Sequence, residues 1–148
     1  MIKRILTYPN DKEILMSKSE EVTDINEIQD LIQDLKDTLK NTTGCGISAV
    51  QIGELKRICI IKYNGDYITM INPIITRTRG EVLFQEGCLS APATYTTVKR
   101  AKKVWVSYLD EKGNKKELDQ GGLCSVIIQH ELDHFDGWCE VFNELKED

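Results

Sequence analysis

The chain has 148 residues, enough for one domain with a hydrophobic core, and 1–148 is predicted to be a single domain. Its formal net charge of −5, with 29% charged residues of both signs, argues against direct nucleic acid binding. No apolar stretch approaches the roughly 20 residues that cross a bilayer, and 1–6 are not followed by the apolar region of a secretory signal. These features predict a cytoplasmic protein that uses neither a membrane nor sequence-specific contacts to nucleic acid.

Five cysteines, an odd number without a Cys-x-x-Cys pair, predict free thiols rather than a disulfide framework. Cys59 lies in an apolar run and is predicted to be a small buried residue. Burial is also expected for Cys45, which lies between two glycines. Neither Cys124 nor Cys139 has neighbours that point to a role.

The N-terminal third contains one clear amphipathic helix. Thr23 and Asp24 are residue types that cap helices, and apolar residues then recur at helical spacing from Ile25 to Leu39. Polar residues fill the positions between them. This pattern predicts a helix that packs on the core and carries no chemistry.

The next segment, 44–53, is rich in small residues. Gly44 and Gly46 permit positive φ angles or the close approach of another group, and Gln51 offers an amide with donors and an acceptor. Taken alone, this pattern is typical of a glycine-rich turn with a solvated glutamine. It lacks the Gly-Lys-Ser/Thr ending and the glycine spacing of nucleotide-binding loops.

The middle of the chain shows short strand patterns. Strands at 58–62 and 67–71 flank Asn64-Gly65, a strong hairpin signal, and a second hairpin is predicted within 104–118. Pro73 suggests an edge or a bend. Several strands without alternating helices predict an α+β domain. Its mostly antiparallel sheet would pack around a C-terminal metal-binding helix, with the N-terminal amphipathic helix beside it.

A His-Glu-x-x-His motif follows the apolar run 123–128 on a predicted helix. His130 and His134, the only histidines, are one helical turn apart and face the same side. This arrangement is typical of a divalent metal site in which Glu131 takes a proton from bound water. The residues alone leave the third protein ligand open. The candidates are Cys88, Glu86, Asp133 and Asp136.

Three segments together resemble the signature motifs of the peptide deformylase family. They are Gly-Cys-Gly-Ile-Ser-Ala-Val-Gln at 44–51, Glu-Gly-Cys-Leu-Ser at 86–90 and Gln-His-Glu-Leu-Asp-His at 129–134. Each motif alone is a weak or moderate signal, but their order and separations are similar to those of the family. The resemblance covers nearly the whole chain. The family removes the N-terminal formyl group from nascent proteins of bacterial type.

The resemblance implies that the chain is a metal-dependent hydrolase that converts formyl-methionyl nascent peptides into methionyl peptides and formate. Cys88, His130 and His134 correspond to the metal ligands. Metal-bound water would attack the formyl carbon, with Glu131 as general base and then general acid. The implied metal in the cell is Fe2+, and Zn2+, Ni2+ or Co2+ would fit purified protein. The ribosome near its exit tunnel would be a transient partner.

The same resemblance implies roles for further residues. Gln51 and the backbone N–H of Leu89 correspond to donors that stabilise the oxyanion. Gly46 corresponds to a glycine whose backbone meets the substrate, and Val126 and Ile127 lie where the family lines the methionine pocket. The supporting residues are Glu86 and Arg100, which resemble a structural ion pair, together with Ser90 and Asp133.

Three positions depart from the family pattern. Ser48 stands where alanine is usual, and Val50 where proline, threonine or asparagine is common; neither is expected to touch the metal. Tyr95 stands where some members carry an arginine near the substrate backbone. Many relatives continue beyond the position of Asp148 into a longer C-terminal helix, and the resemblance carries no ribosome-docking role for that helix here.

A zinc peptidase and two non-enzymatic roles, a structural metal site and a binding module, compete with this interpretation. A zinc peptidase would need a third histidine or glutamate downstream of the motif, and Glu140 and Glu144 are the only nearby glutamates. A structural metal normally has four protein ligands, yet no second cysteine lies close to Cys88 in the sequence. A binding module without turnover is disfavoured by the intact Glu131 and Gln51.

Overall fold

A five-stranded antiparallel sheet, its strands in chain order, forms the centre of a computed structural model that describes residues 1–145. The strands are β1 (Gly46–Ser48), β2 (Ile58–Tyr63), β3 (Asp66–Cys88), β4 (Ala91–Leu109) and β5 (Lys115–Gly121). The α-helices are α1 (Lys12–Leu15), α2 (Gln29–Lys40) and α3 (Gly122–Phe135), and 3₁₀ helices span Ile25–Ile28, Ala49–Ile52 and Glu140–Leu145. The predicted α+β class is confirmed.

The predicted amphipathic helix is present, with its first turn in the tighter 3₁₀ conformation. The side chain of Asp24 accepts a hydrogen bond from the backbone N–H of Asn26 at 2.9 Å, which caps this turn. The apolar side of α2 packs on β1 and β2, and β1, which lies within the small-residue segment 44–53, is therefore fixed against the core. The buried residues of this contact include Leu35, Leu39, Ile47 and Ile60.

Both predicted hairpins are confirmed. The turn between β2 and β3 has φ of 51° at Asn64 and 80° at Gly65. Two positive φ angles match the twist of antiparallel strands joined by two residues, which explains the Asn-Gly pair. In the turn between β4 and β5, the side chain of Asp110 accepts the backbone N–H groups of Lys112 and Asn114.

The hairpin of β3 and β4 is longer than the sequence pattern predicts. The two strands have 23 and 19 residues, and their outer parts, beyond the pairing with β2 and β5, form a two-stranded ribbon that turns beyond Cys88. Their pairing shifts between Ile71 and Ile74, and Asn72 has a φ of 50°, so a bend accompanies Pro73 as expected. Much of the outer ribbon is exposed on both faces, so apolar alternation does not mark it in the sequence. The motif at 86–90 thus lies at the tip of a hairpin.

The helix α3 packs on the sheet through an apolar cluster of its own. Ile128 and Phe135 are buried against Met70, Val104 and Val106. Leu123 at the start of the helix is 51% exposed, so the apolar run that leads into the motif is only partly buried. Within the described range, no helix combines the length and the apolar character needed to span a membrane. The expectation about a C-terminal extension falls outside residues 1–145.

Candidate metal centre

Two elements carry the residues of the predicted metal site. Cys88 is the last residue of β3, and α3 carries His130 and His134 with their ring centroids 5.1 Å apart. The Sγ of Cys88 lies 3.4 Å from the Nε2 of His134. Of the four sequence candidates for the third ligand, Cys88 is the one whose donor atom joins both imidazoles in a single cluster within residues 1–145.

The donor atoms fit a divalent metal. Those of Cys88, His130, His134 and Cys139 all lie within 4.8 Å of one another. Nδ1 of His130 lies 2.7 Å from Oε1 of Glu86, which leaves its Nε2 for the cluster. Nδ1 of His134 is buried and has no hydrogen-bond partner in the described part of the chain. Sulfur and imidazole nitrogen are donors that zinc and ferrous iron accept, so the site suits either ion.

A buried ion pair orients His130 through the Nδ1 side of its imidazole ring. Arg100 donates hydrogen bonds to both carboxylate oxygens of Glu86, at 2.6 and 2.8 Å, and a third to Asp133 at 2.7 Å. Burial raises the pKa of Glu86, but the hydrogen bonds from Arg100 and His130 outweigh it, and the net shift is downward. Glu86 is therefore ionised at neutral pH and accepts the N–H of His130.

Glu131 follows the ligand candidate His130 on α3 and contacts Ser48 of β1. Its side chain is 3% exposed, and this burial raises the pKa of its carboxyl group. The hydroxyl of Ser48 lies 3.0 Å from the carboxylate Oε1 of Glu131 and also 3.0 Å from its backbone oxygen. Such a buried carboxyl beside the donor cluster is a candidate for proton transfer. The sequence does not predict the contact between Ser48 and Glu131. Ser48 is a position where this chain departs from the family pattern, and the resemblance assigns it no role.

Gln51 is held with its amide nitrogen toward the cysteine. The backbone N–H of Ser48 donates to its Oε1 at 2.9 Å, so the carbonyl end is fixed. Its Nε2 lies 3.1 Å from the Oγ of Ser90 and 3.7 Å from the Sγ of Cys88. The glutamine is thus a buried, oriented donor rather than the solvated residue that its segment alone suggests.

A cavity of about 550 Å³ opens beside these residues. Gly46 allows the close packing there, because a Cβ at this position would lie 2.7 Å from Oε2 of Glu131. Gly46 therefore allows β1 to approach Glu131 closely, and its φ angle is not positive. The lining combines the functional candidates with apolar residues, among them Gly46, Gln51, Cys88, Leu89, Tyr95, Val126, Ile127, His130 and Glu131.

Two cysteines differ from expectation. Cys45 is exposed, so the prediction of a small buried thiol is wrong; it lies at the cavity wall, where β1 begins. Cys139 is buried with its sulfur in the donor cluster, although nothing in its sequence context indicates a role. The glutamates that a peptidase would need are engaged elsewhere. The side chain of Glu140 accepts from Asn143, and that of Glu144 accepts from Thr96.

Comparison with known proteins decides the family. The sequence model described as polypeptide deformylase matches residues 2–146. The chain belongs to the polypeptide deformylase family. It is therefore grouped with enzymes that are metallohydrolases and remove the formyl group from an N-terminal methionine.

Individual relatives support this membership along most of the chain. The peptide deformylase of Thermodesulfovibrio yellowstonii is 40% identical over 142 residues, which cover 92% of this chain and 85% of that protein. The crystal structure of a peptide deformylase from Legionella pneumophila gives a TM-score of 0.89 at 38% identity, covering 94% of this chain and 83% of that one. A peptide deformylase from Synechococcus elongatus, crystallised with actinonin, gives 0.86 at 34%, covering 91% and 74%.

Proposed function

We propose that the chain hydrolyses the formyl group of formyl-methionyl nascent peptides at a metal held by Cys88, His130 and His134. The observation that carries the proposal is the position of Glu131, a buried carboxyl group beside that donor cluster and at the wall of a cavity. The family acts on formylated nascent peptides, which gives the substrate class.

The residues of the chain divide the chemistry among them. A divalent metal at this site would make a water acidic and polarise the formyl oxygen. Glu131 accepts the proton of the attacking water and delivers it to the departing amine, releasing formate and a free methionine amino group. The amide of Gln51 and the backbone N–H of Leu89 donate to the oxyanion, a contribution worth about 100- to 1000-fold in rate per donor. Val126 and Ile127 offer an apolar wall for the methionine side chain.

The setting of the reaction follows from its substrate. Nascent peptides with formyl-methionine are made in the bacterial cytoplasm, and we place the enzyme there, in transient contact with the ribosome near the exit tunnel. Iron in the ferrous state is the proposed metal in the cell. Zinc, nickel or cobalt suits the same donors, so zinc in purified protein would not identify the physiological metal.

The experiment is formate release from a formyl-Met peptide, with protein purified anaerobically and loaded separately with iron, nickel or zinc. Peptide-bond cleavage is followed in the same samples. Formate release with intact peptide bonds is expected, and it should rank the metals. Peptide cleavage would instead support the zinc peptidase, and no formate from fully metallated protein would support a binding module.

The general base is tested with Glu131→Gln and Glu131→Ala. Both are expected to lower the rate of formate release by about 100-fold or more while the metal content per chain stays unchanged. Glu144→Gln is the matched control, since it removes an exposed carboxylate of the same type. Retention of most activity in Glu131→Ala would contradict the assigned role.

A further inference from the structure

We propose that Cys139 is a fourth protein ligand of the metal, placed on the side of the centre away from the substrate cavity. The inference rests on the metal site of the proposed function and adds a residue to it. It gives this chain a donor set of two sulfurs and two imidazole nitrogens.

The distances between donor atoms suit a shared ion. The Sγ of Cys139 lies 3.8 Å from the Nε2 of His130, and the Sγ of Cys88 lies 3.4 Å from the Nε2 of His134. With metal–sulfur bonds of about 2.3 Å and metal–nitrogen bonds of about 2.1 Å, angles of about 90–120° at a five-coordinate ion place such pairs about 3.1–3.8 Å apart. The separations of 3.4 and 3.8 Å both lie within that range.

The turn after α3 brings Cys139 back to the histidines. The helix ends at Phe135, and the N–H of Gly137 donates to the carbonyl of His134 at 3.1 Å. Gly137 has a φ of 83°, the left-handed conformation that reverses a chain after a helix. A Cβ on Gly137 would lie 2.4 Å from the backbone oxygen of Met16, so the tight turn is packed against the N-terminal segment. The position of Cys139 is therefore fixed by the fold.

The two sides of the cluster differ in exposure to the cavity. Cys88 and His130 line the cavity together with Glu131, whereas within residues 1–145 neither His134 nor Cys139 belongs to its lining. Cys139 is 1% exposed, in an apolar cluster with Leu6, Leu15, Ala91, Val141 and Phe142. Ligation by Cys139 from the side away from the cavity leaves the cavity-facing side open, so that a water or the substrate would be a fifth ligand there.

A role as a buried apolar side chain alone would not explain why the sulfur of Cys139 lies within the donor cluster. Cys59 is equally buried in an apolar cluster, but its sulfur lies outside the donor cluster of the described residues. The sulfur of Cys139 faces an imidazole nitrogen that Glu86 has oriented toward it. A second soft donor favours zinc and ferrous iron over hard cations.

The decisive measurement uses the unaltered protein loaded with zinc. X-ray absorption at the zinc edge counts sulfur neighbours, and two sulfurs at about 2.3 Å are expected. A count of one sulfur would overturn the proposal. Because no substitution is involved, the result does not depend on a variant that folds.

Variants give a second readout. In the cobalt(II)-loaded protein, thiolate-to-cobalt charge-transfer absorption reports bound thiolates, and both Cys139→Ser and Cys139→Ala are expected to lose about half of it. Metal removal by a chelator should become about 10-fold faster or more, the scale at which even an indirect partner of a ligand matters. The control is Cys124→Ser, which removes a half-buried thiol from α3 and should change neither quantity. Unchanged absorption and unchanged metal release in both Cys139 variants would count against ligation.

Formate release from the same zinc- or iron-loaded samples separates the two proposals. Formate production with one bound sulfur would leave the enzyme function intact and remove Cys139 from the ligands. Two bound sulfurs without formate production would support Cys139 as a ligand and refute the proposed function.

Discussion

At the scale of single residues, the site depends on side chains that hold other side chains. His130 is oriented by Glu86, Glu86 is held by Arg100, and Arg100 is also bonded to Asp133 on the same helix as the histidine. Arg100 and Glu86 are only 7% and 5% exposed, so neither charge is well solvated without its partner. Loss of one partner would leave an uncompensated buried charge.

We therefore predict that Arg100→Ala lowers the free energy of unfolding by about 3–5 kcal/mol, the usual cost of breaking a buried pair from one side. Urea denaturation of the metal-free protein measures this effect. Metal affinity should also fall by about 10- to 100-fold, because Arg100 no longer holds Glu86 in the position that orients His130.

The neighbouring position provides a matched control for this prediction. Lys99 pairs with Glu81 at 3.2 Å, but both side chains are about two-thirds exposed, at 66% and 69%. Lys99→Ala should therefore change the unfolding free energy by about 1 kcal/mol or less. Equal effects of the two substitutions would contradict the assigned difference between a buried and an exposed pair.

The sequence predicts the pairing of the two histidines better than it predicts their surroundings. The spacing of His130 and His134 follows from helix geometry, so the sequence alone predicts that these imidazoles face the same side. Cys139 could not be found in this way, because its place depends on the reversal at Gly137 and on packing against the N-terminal segment. The Ser48 contact to Glu131 depends likewise on how β1 meets α3.

At the scale of secondary structure elements, the proposed catalytic geometry depends on the close approach of β1 to α3. Gly46 meets this helix with no room for a side chain, since a Cβ would lie 2.7 Å from Oε2 of Glu131 and 3.1 Å from Cγ2 of Ile127. The carboxyl group of Glu131 is itself buried and bonded to Ser48. It cannot move aside without losing that contact.

We predict that Gly46→Ala lowers kcat/KM for formyl-Met peptide by about 100-fold, the effect of a misplacement near 1 Å at a reacting group. Circular dichroism should show an unchanged fold. Gly121→Ala is the control, because its added Cβ would make only ordinary contact, at 3.6 Å from the Lys102 carbonyl oxygen. Similar activities of the two variants would refute the steric argument.

The elements themselves are predictable where one side of them is buried. The periodicity of α2 and the Asn64-Gly65 turn each give a clear signal, and the structure contains both. The outer ribbon of β3 and β4 gives little signal, because much of it is exposed on both faces. Its register depends on pairing between residues distant in the sequence, which local patterns do not contain.

At the scale of the whole molecule, a metal would join the end of β3 to α3. A ligand that binds only the folded protein stabilises it by about 2.7 kcal/mol at a concentration 100 times its dissociation constant. For a chain of this size, we predict a rise in Tm of about 5–10 °C on zinc addition.

Differential scanning calorimetry of metal-free protein, with and without zinc, measures this rise. Cys88→Ser should show a much smaller increase because it removes a proposed ligand, while Cys124→Ser should respond like the unaltered chain. If Cys88→Ser gained as much stability from zinc as the unaltered chain, the stabilising site would lie elsewhere.

The place of α3 along the chain also governs how the protein is made. Synthesis proceeds from the N-terminus, so all five strands leave the ribosome before this helix does. Until then, the sheet face at Met70, Val104 and Val106 is not covered by α3, and the two imidazoles of the proposed metal centre cannot reach Cys88. A growing copy of this enzyme would therefore lack the proposed metal centre until α3 emerges and folds onto the sheet.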